Sequence, residues 1–380
     1  MRINRTIARG RRAMGAALLA GSAVAGITQA ARAAQVDVPL GTPDGFSAIG
    51  VSALGNNRYC VSGSVFDDTG PSNAAMVVLV DAARRAVLWK VSIPYGKDYV
   101  SNQAVACAAA GNGYVAVTQN STNSAESENQ TRVMLSRISA AGKLERSETI
   151  EAGYDEWFYG LDATPAGLAV VGGTSGSAQR GGPFGTFVAR FGADLAPAGL
   201  STLASGAFWL DSAARFDGAH LLVSGQFMPN KGAGRDAFAA SKIDPRSGKY
   251  VWSTYALPDD TRSARTWLAP DGAVVTAGLT SNALAVAMLD RNGKLVRSFS
   301  LKKPLCSLKT VAVDGSRLDL IGNACGGDEA TVRVPVDLDA KTAGAAQPLG
   351  GKLRAVSFDG KVWVGVATVK AQPVLRRVAP

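Results

Sequence analysis

The chain has 380 residues, which is either two or three domains or one large repetitive all-β domain. Only 18% of residues are charged and 43 are glycine, which excludes coiled coils and long solvated helices, and the single histidine, His220, excludes histidine-cluster metal sites. The net charge of +10 loses most of its meaning once located: Arg2, Arg5, Arg9, Arg11, Arg12 and Arg32 all precede residue 34 with no acid among them, and beyond them 34 basic side chains face 30 acidic ones. A nucleic-acid partner is therefore not expected.

Taken in chain order, residues 1 to 33 read as a secretory signal peptide: a basic stretch to Arg12, an apolar run from Ala13 to Ile27, and Ala31-Arg32-Ala33 as a cleavage site before Ala34. The run is shorter than the roughly 20 residues a spanning helix needs. Arg11-Arg12 is similar to a twin-arginine export signal, but Ala13-Met14-Gly15 departs from the pattern that should follow, so the export route stays open. No cysteine stands at the cleavage site for a lipid anchor, and no later stretch is long and apolar enough to span a bilayer. The expected product is a periplasmic or secreted domain, residues 34 to 380.

The next segment, Gln35-Val-Asp-Val-Pro-Leu40, alternates like the fourth strands of the units that follow it. After it the same paragraph is written seven times. A polar turn (Asn56-Asn57, Asn112-Gly113, Ala166-Gly167, Asp217-Gly218, Asp271-Gly272, Asp314-Gly315, Asp359-Gly360) precedes an apolar stretch ending at Gly63, Gln119, Gly172, Gly225, Gly278, Gly322 and Val366. The steps are 56, 53, 53, 53, 44 and 44 residues. Each unit then adds a third strand, a second polar turn and a fourth strand. Hairpins of this kind, four strands to a unit, predict an all-β, seven-bladed β-propeller with four antiparallel strands per blade. The seventh unit ends one strand short, which assigns Gln35 to Leu40 as the outer strand of blade seven and removes an exposed sheet edge.

The four cysteines follow an export signal, so disulfides are allowed. Cys306 and Cys325 flank one hairpin and are expected to pair. Cys60, on the second strand of blade one, and Cys107, on the first strand of blade two, are placed to staple neighbouring blades, the alternative being simple packing of small buried thiols.

Ligands of propellers meet the face formed by the lead-ins to the first strands and the loops between strands two and three. Those loops are long in blades one to four (64 to 73, 120 to 131, 173 to 185, 226 to 236) and short afterwards. On the same rim stand Tyr99, Asn102, Tyr154, Asp155, Glu156, Trp157, Trp209, Asp211, Arg262 and Arg265, the candidate ligand-binding set. Flat rings supply contact area and polar groups fix orientation; the competing reading is that Trp157, Trp209 and Trp267 pack between blades. Chemistry motifs are sparse. Gly232-Ala-Gly-Arg-Asp-Ala237 fits a dinucleotide fingerprint only superficially, because no helix follows it. The pairs Asp67-Asp68, Asp155-Glu156, Asp259-Asp260 and Asp328-Glu329 offer carboxylates, but neighbours on a strand point apart. His220, directly after a turn, reads as a surface residue. No catalytic residue, metal site or cofactor is assigned.

Asp244-Pro-Arg-Ser-Gly-Lys-Tyr-Val-Trp252 resembles the Asp-x-x-Thr-Gly-x-x-x-Trp element of bacterial quinoprotein propellers. Asp81 to Trp89 keeps the spacing with Arg85 in place of glycine, and Asp290-Arg-Asn-Gly-Lys-Leu295 is similar to repeats of secreted bacterial propellers. The resemblance implies that Trp89 and Trp252 dock onto neighbouring blades. The adjacent cysteines of quinone-binding members do not occur here, and no calcium ligand set can be placed.

These readings converge on an exported, monomeric, non-catalytic binding or scaffolding propeller. It would recognise a protein or glycan partner in the cell envelope or outside, on the face of blades one to four. The alternative is an extracellular carbohydrate-active hydrolase or lyase with Asp155, Glu156, Asp211, Arg262 and Arg265 at the channel mouth. The Ser-x-Asp-x-Gly-x-Thr-Trp box of sialidases is absent.

Overall fold

In the computed structural model, residues Ala33–Pro380 group as one compact unit. The structure describes residues 35–66, 73–95, 99–122, 130–164, 167–175, 184–203, 206–217, 220–228, 237–247, 249–326 and 329–378, the side chains of 164, 209–211 and 228 excepted. The signal-peptide reading of residues 1 to 33 and most of the long loops of blades one to four fall outside these residues.

Every regular element among the described residues is a β-strand, and the strands form seven antiparallel sheets arranged as the blades of a ring. From the inner strand outward, blade one is Phe46–Ala53, Arg58–Phe66, Asn73–Asp81 and Ala86–Ile93. Blade two is Tyr99–Ala110, Gly113–Thr122, Thr131–Ile138 and Leu144–Thr149. Blade three is Asp155–Thr164, Gly167–Ser175, Gly185–Phe191 and Pro197–Leu203. Blade four is Ala207–Asp217, His220–Met228, Ala237–Asp244 and Lys249–Tyr255, and blade five is Ser263–Leu268, Val274–Leu279, Ala283–Leu289 and Leu295–Lys302. Blade six is Ser307–Asp314, Arg317–Asn323 and Thr331–Asp337, with its outer strand split into Thr342–Ala343 and Gln347–Pro348. Blade seven is Leu353–Phe358, Trp363–Val369 and Gln372–Val378, with Val36–Pro39 outermost.

The middle strands lie between two neighbouring blades and are buried on both faces, so they read as nearly unbroken apolar runs rather than alternating ones. Tyr59 to Ser64 are all buried, whereas the outer strand Lys249–Tyr255 alternates exposed and half-buried residues. The core therefore sits in the joints between blades. Val275 and Leu279 of blade five pack with Leu308, Leu318 and Leu320 of blade six, and Tyr159 of blade three packs with Phe208 and Val223 of blade four. No blade buries both of its faces alone, which is the physical reason for the repeat.

The small residue that ends several repeats has a steric cause. Gly63 and Gly322 lie across from the inner strand, where a Cβ would be driven into the carbonyl oxygens of Ser47 and Ser307. Blade two carries Gln119 at this position, and its side chain crosses to blade three instead: Nε2 donates to the Glu156 carbonyl at 2.6 Å and Oε1 accepts from Phe158 N at 3.2 Å.

The closing strand is where the repeat count puts it. Val36, Asp37, Val38 and Pro39 pair with Arg377, Arg376, Leu375 and Val374, and Leu40 N donates to the Pro373 carbonyl at 3.0 Å. Val38 and Leu40 are buried in a cluster that joins blade seven to blade one. Arg376 clamps Asp37 through two bonds, Nε to Oδ1 at 2.8 Å and Nη2 to Oδ2 at 2.6 Å, and holds that carboxyl below the usual carboxylate range.

Both disulfides form. Cys60–Cys107 joins blades one and two with Cα atoms 6.1 Å apart, and Cys306–Cys325 spans the first hairpin of blade six at 4.9 Å. The two tryptophans of the quinoprotein-like element dock onto the next blade. Trp89 lies over Gly142 and edge-on to Tyr114; Trp252 covers Gly293 and donates its indole N–H to the Arg291 carbonyl at 3.1 Å. Arg85, standing where the element has glycine, adopts a left-handed φ of 53°, the conformation the turn demands.

Candidate functional site

The rim residues predicted from sequence divide into those tied into the joints and those left at the surface. Glu156 follows the lead-in of blade three and is fully buried. Its Oε1 accepts from Ala152 N at 3.1 Å and Gly153 N at 2.9 Å, and its Oε2 pairs with Arg132 Nη1 of blade two at 3.0 Å. Burial pushes its pKa up to about 7, opposed by Arg132 and the two amides. Asp155 turns the other way, accepting from Gln130 N at 2.6 Å, Thr131 N at 2.9 Å and Ser175 Oγ at 3.3 Å. The two carboxylates thus diverge, as neighbours on a strand must. Glu156 has both oxygens engaged and no access to solvent.

Asn102 is buried as well. Its Oδ1 accepts from Ala75 N at 2.6 Å and its Nδ2 donates to the Ile93 carbonyl at 2.9 Å, fastening blade two to blade one, the same pair of blades that the Cys60–Cys107 bridge joins. Trp157 packs in the joint between blades three and four, with its indole N–H donating to the Phe208 carbonyl at 2.7 Å and to Tyr159 Oη at 3.1 Å. Trp267 is half-buried against the cluster between blades five and six. Tyr99 and Tyr154 remain half-exposed and Arg262 is exposed. Trp209 and Asp211 lie on the inner strand of blade four, and their side chains are outside the described residues. Arg265 reaches from blade five to blade six, with Nε donating to the Lys309 carbonyl at 2.8 Å. His220 sits 4.0 Å from Asp217 at a turn.

A second grouping was missed from sequence. Aligning the inner strands on the residue before the bulge gives one ring level, Ala48 opposite Gly63, Ala104 opposite Thr118, Phe158 opposite Gly172 and Leu308 opposite Gly322, to which Ala264, opposite Gly278, corresponds in blade five. In blade seven Leu353 stands opposite Ala367. The residue that follows is Ile49, Val105 and Tyr159 on blades one to three, but Arg265, Lys309 and Arg354 on blades five to seven. At most of these positions the inner strand is bulged, between Ala48 and Gly50, Ala104 and Ala106, Phe158 and Gly160, Leu308 and Thr310, and Leu353 and Val356, a device that re-aims one side chain. The signal was in the sequence: Arg265, Lys309 and Arg354 each stand 13 residues before a small residue, Gly278, Gly322 and Ala367.

Arg354 Nη1 donates to Ser47 Oγ of blade one at 2.9 Å. Lys309 is half-buried, and burial, with the charges of Lys352, Arg265 and Arg354, lowers its pKa against the opposing pull of Glu329. Glu329 itself is paired with Lys352.

No protein-family profile matches the chain, and no curated protein matches it. Solved structures do. The Dos1 propeller is 10% identical over 90% of this chain and 94% of its own, with a TM-score of 0.57. The WD40 domain of Neurospora crassa Pan2 is 10% identical over 91% and 95%, also at 0.57. The β-propeller domain of the Trilobed protease from Pyrococcus furiosus, described as having an open velcro topology, is 9% identical over 88% and 94% at 0.50. The present ring differs from that description in being closed by Val36–Pro39. At such identities the likeness bears on architecture alone, and it agrees with what the strand order shows: the chain folds as a seven-bladed β-propeller.

Proposed function

We propose that this protein is an exported, non-catalytic binding or scaffolding propeller that recognises a protein or glycan partner on the face formed by the lead-ins and long loops of blades one to four. The observation that carries this reading is the division of labour at that rim. Two of the acids that would serve hydrolysis are spent on the fold, Asp155 on two backbone amides and a serine and Glu156 on two amides and Arg132. The aromatic Tyr99 and Tyr154 stay accessible beside them. A rigid ring whose rim groups Asn102, Asp155 and Glu156 are satisfied internally presents area rather than reactivity there, which suits recognition. The export part rests on residues 1 to 33 and on two disulfides, which persist in oxidising compartments.

Two measurements test the reading. Recovered from the envelope or medium, the protein should begin at Ala34; retention of residues 1 to 33 would overturn export. The Tyr99→Ala, Tyr154→Ala double variant should lose its partner in glycan-array and pull-down comparisons with the parent while melting normally. Equal capture by both proteins would move the binding face elsewhere.

A further inference from the structure

We propose that Lys309 and Arg354, on the channel side of blades six and seven, bind the anionic group of a small organic ligand, a carboxylate or a phosphate, whose neutral part sits in the cleft between blades seven and one. The two cations of this site stand on blades six and seven, away from Tyr99 and Tyr154 of blades two and three, and although the cleft shares the lead-in of blade one with the proposed binding face, the site does not depend on those tyrosines.

Ring closure brings the two cations to one level from consecutive blades, each one residue past the inner-strand position that faces the second strand's small residue. Among the described residues no hydrogen bond or ion pair engages the Lys309 ammonium. Among the described residues, the charges acting most strongly on it are those of the cations Lys352, Arg265 and Arg354 and of the acid Glu329, which is already bonded to Lys352. Arg265 is occupied with the Lys309 and Ala264 carbonyls. Holding a half-buried ammonium among like charges is unfavourable unless something of opposite sign arrives. The fold does not require it, because blades one to three place Ile49, Val105 and Tyr159 at the same level.

The cleft beside Arg354 has a volume of about 230 Å³ and is lined by Ser47, Phe46, Val366 and Pro373, with Asp44 at the same cleft. That is smaller than the roughly 300–1,000 Å³ of drug-sized pockets, so it suits a ligand body of one ring or a short branched chain. Asp44 disfavours a second negative charge, which selects a ligand with a single anionic head. Arg354, held by only one described bond to Ser47 Oγ, keeps the remaining edge of its guanidinium for a two-pronged contact with such a head.

Isothermal titration of the full protein at low salt with benzoate, phenyl phosphate and benzyl alcohol tests the assignment. Benzoate or phenyl phosphate should bind, the tighter of the two identifying the head group, and benzyl alcohol should not. Lys309→Met and Arg354→Met should each weaken binding by about tenfold or more, the loss expected for one charged contact. Lys361→Met, which removes equal charge from a turn on the other face of blade seven, should leave it unchanged. Lys309→Gln and Arg354→Gln repeat the test if either Met variant melts early. The proposal fails if neither anion binds the parent, if benzyl alcohol binds as well as they do, or if Lys361→Met weakens binding as much as the two site variants.

Discussion

The two halves of the ring treat charge in opposite ways. Between blades two and three a buried carboxylate, Glu156, is met by Arg132 and two backbone amides, so every lone charge in the joint has an answer within the fold. Across the ring, Lys309 and Arg354 share a level with Arg265 and face no carboxylate at hydrogen-bonding distance among the described residues. The first arrangement is what a structural joint looks like: removing either partner strands the other. In the second, Arg265 and Arg354 each reach a neighbouring blade by a hydrogen bond, while the Lys309 ammonium stands where Ile49 and Val105 serve on blades one and two. Structural charge can be told from available charge by asking what is left over when the fold's own hydrogen bonds have been assigned.

The sharpest way to break this contrast is to open the ring where its halves meet. Deleting residues 35 to 45 removes Val38 and Leu40 from the core, each worth about 1.5–3 kcal/mol, and bares the edge of Gln372–Val378. With the lost strand pairing this approaches the whole stability of a typical domain, about 5–15 kcal/mol. The truncated chain should aggregate or lose its cooperative melt by circular dichroism; a parent-like melt would disprove the closing role.

Next in size is Arg132→Met, which leaves the Glu156 carboxylate buried with amides but no counter-charge. A loss of about 3 kcal/mol or more is expected in denaturant titration at neutral pH, shrinking at pH 5, where Glu156 takes up a proton. The parent itself should show a related, smaller slope. Glu156 has a folded pKa of about 7 against an ordinary 4.5, so the folded state binds the proton more tightly. Stability is then fullest below about pH 4.5 as far as this group is concerned, and declines as pH rises through 7, by up to about 3 kcal/mol. Glu156→Gln should flatten that decline; an unchanged slope would assign it to another group.

The smallest effect belongs to the other half. Lys309→Met should alter stability by less than about 1 kcal/mol and in the stabilising direction, because it withdraws a cation from beside Lys352, Arg265 and Arg354. A large destabilisation would show that Lys309 holds the fold together after all and would erase the contrast.

Much of this was legible in the sequence. Seven turns at a steady step, small residues closing the second strands, and a final unit one strand short were enough for blade number, strand count and the closing strand. These features are local: a hairpin needs its turn chemistry, and a middle strand needs apolar residues on both faces. The disulfides followed because repeats align, placing Cys60 and Cys107 on facing strands of adjacent blades. The site was read less well. Asn102, Asp155, Glu156 and Trp157 have the composition of a binding rim, yet their polar atoms turn to the neighbouring blade. Sequence shows which residues share a loop but not which way each side chain leaves the strand.

By itself, then, the sequence determined the architecture of this protein, because repetition and turn chemistry act over a few residues and leave a periodic trace. Only the tertiary structure decided which charges are consumed and which are available. Arg265, Lys309 and Arg354 stand 44 and 45 residues apart, in strands with no local reason to agree. Their convergence arises from closing the ring, which sets equivalent positions of successive blades side by side at one level.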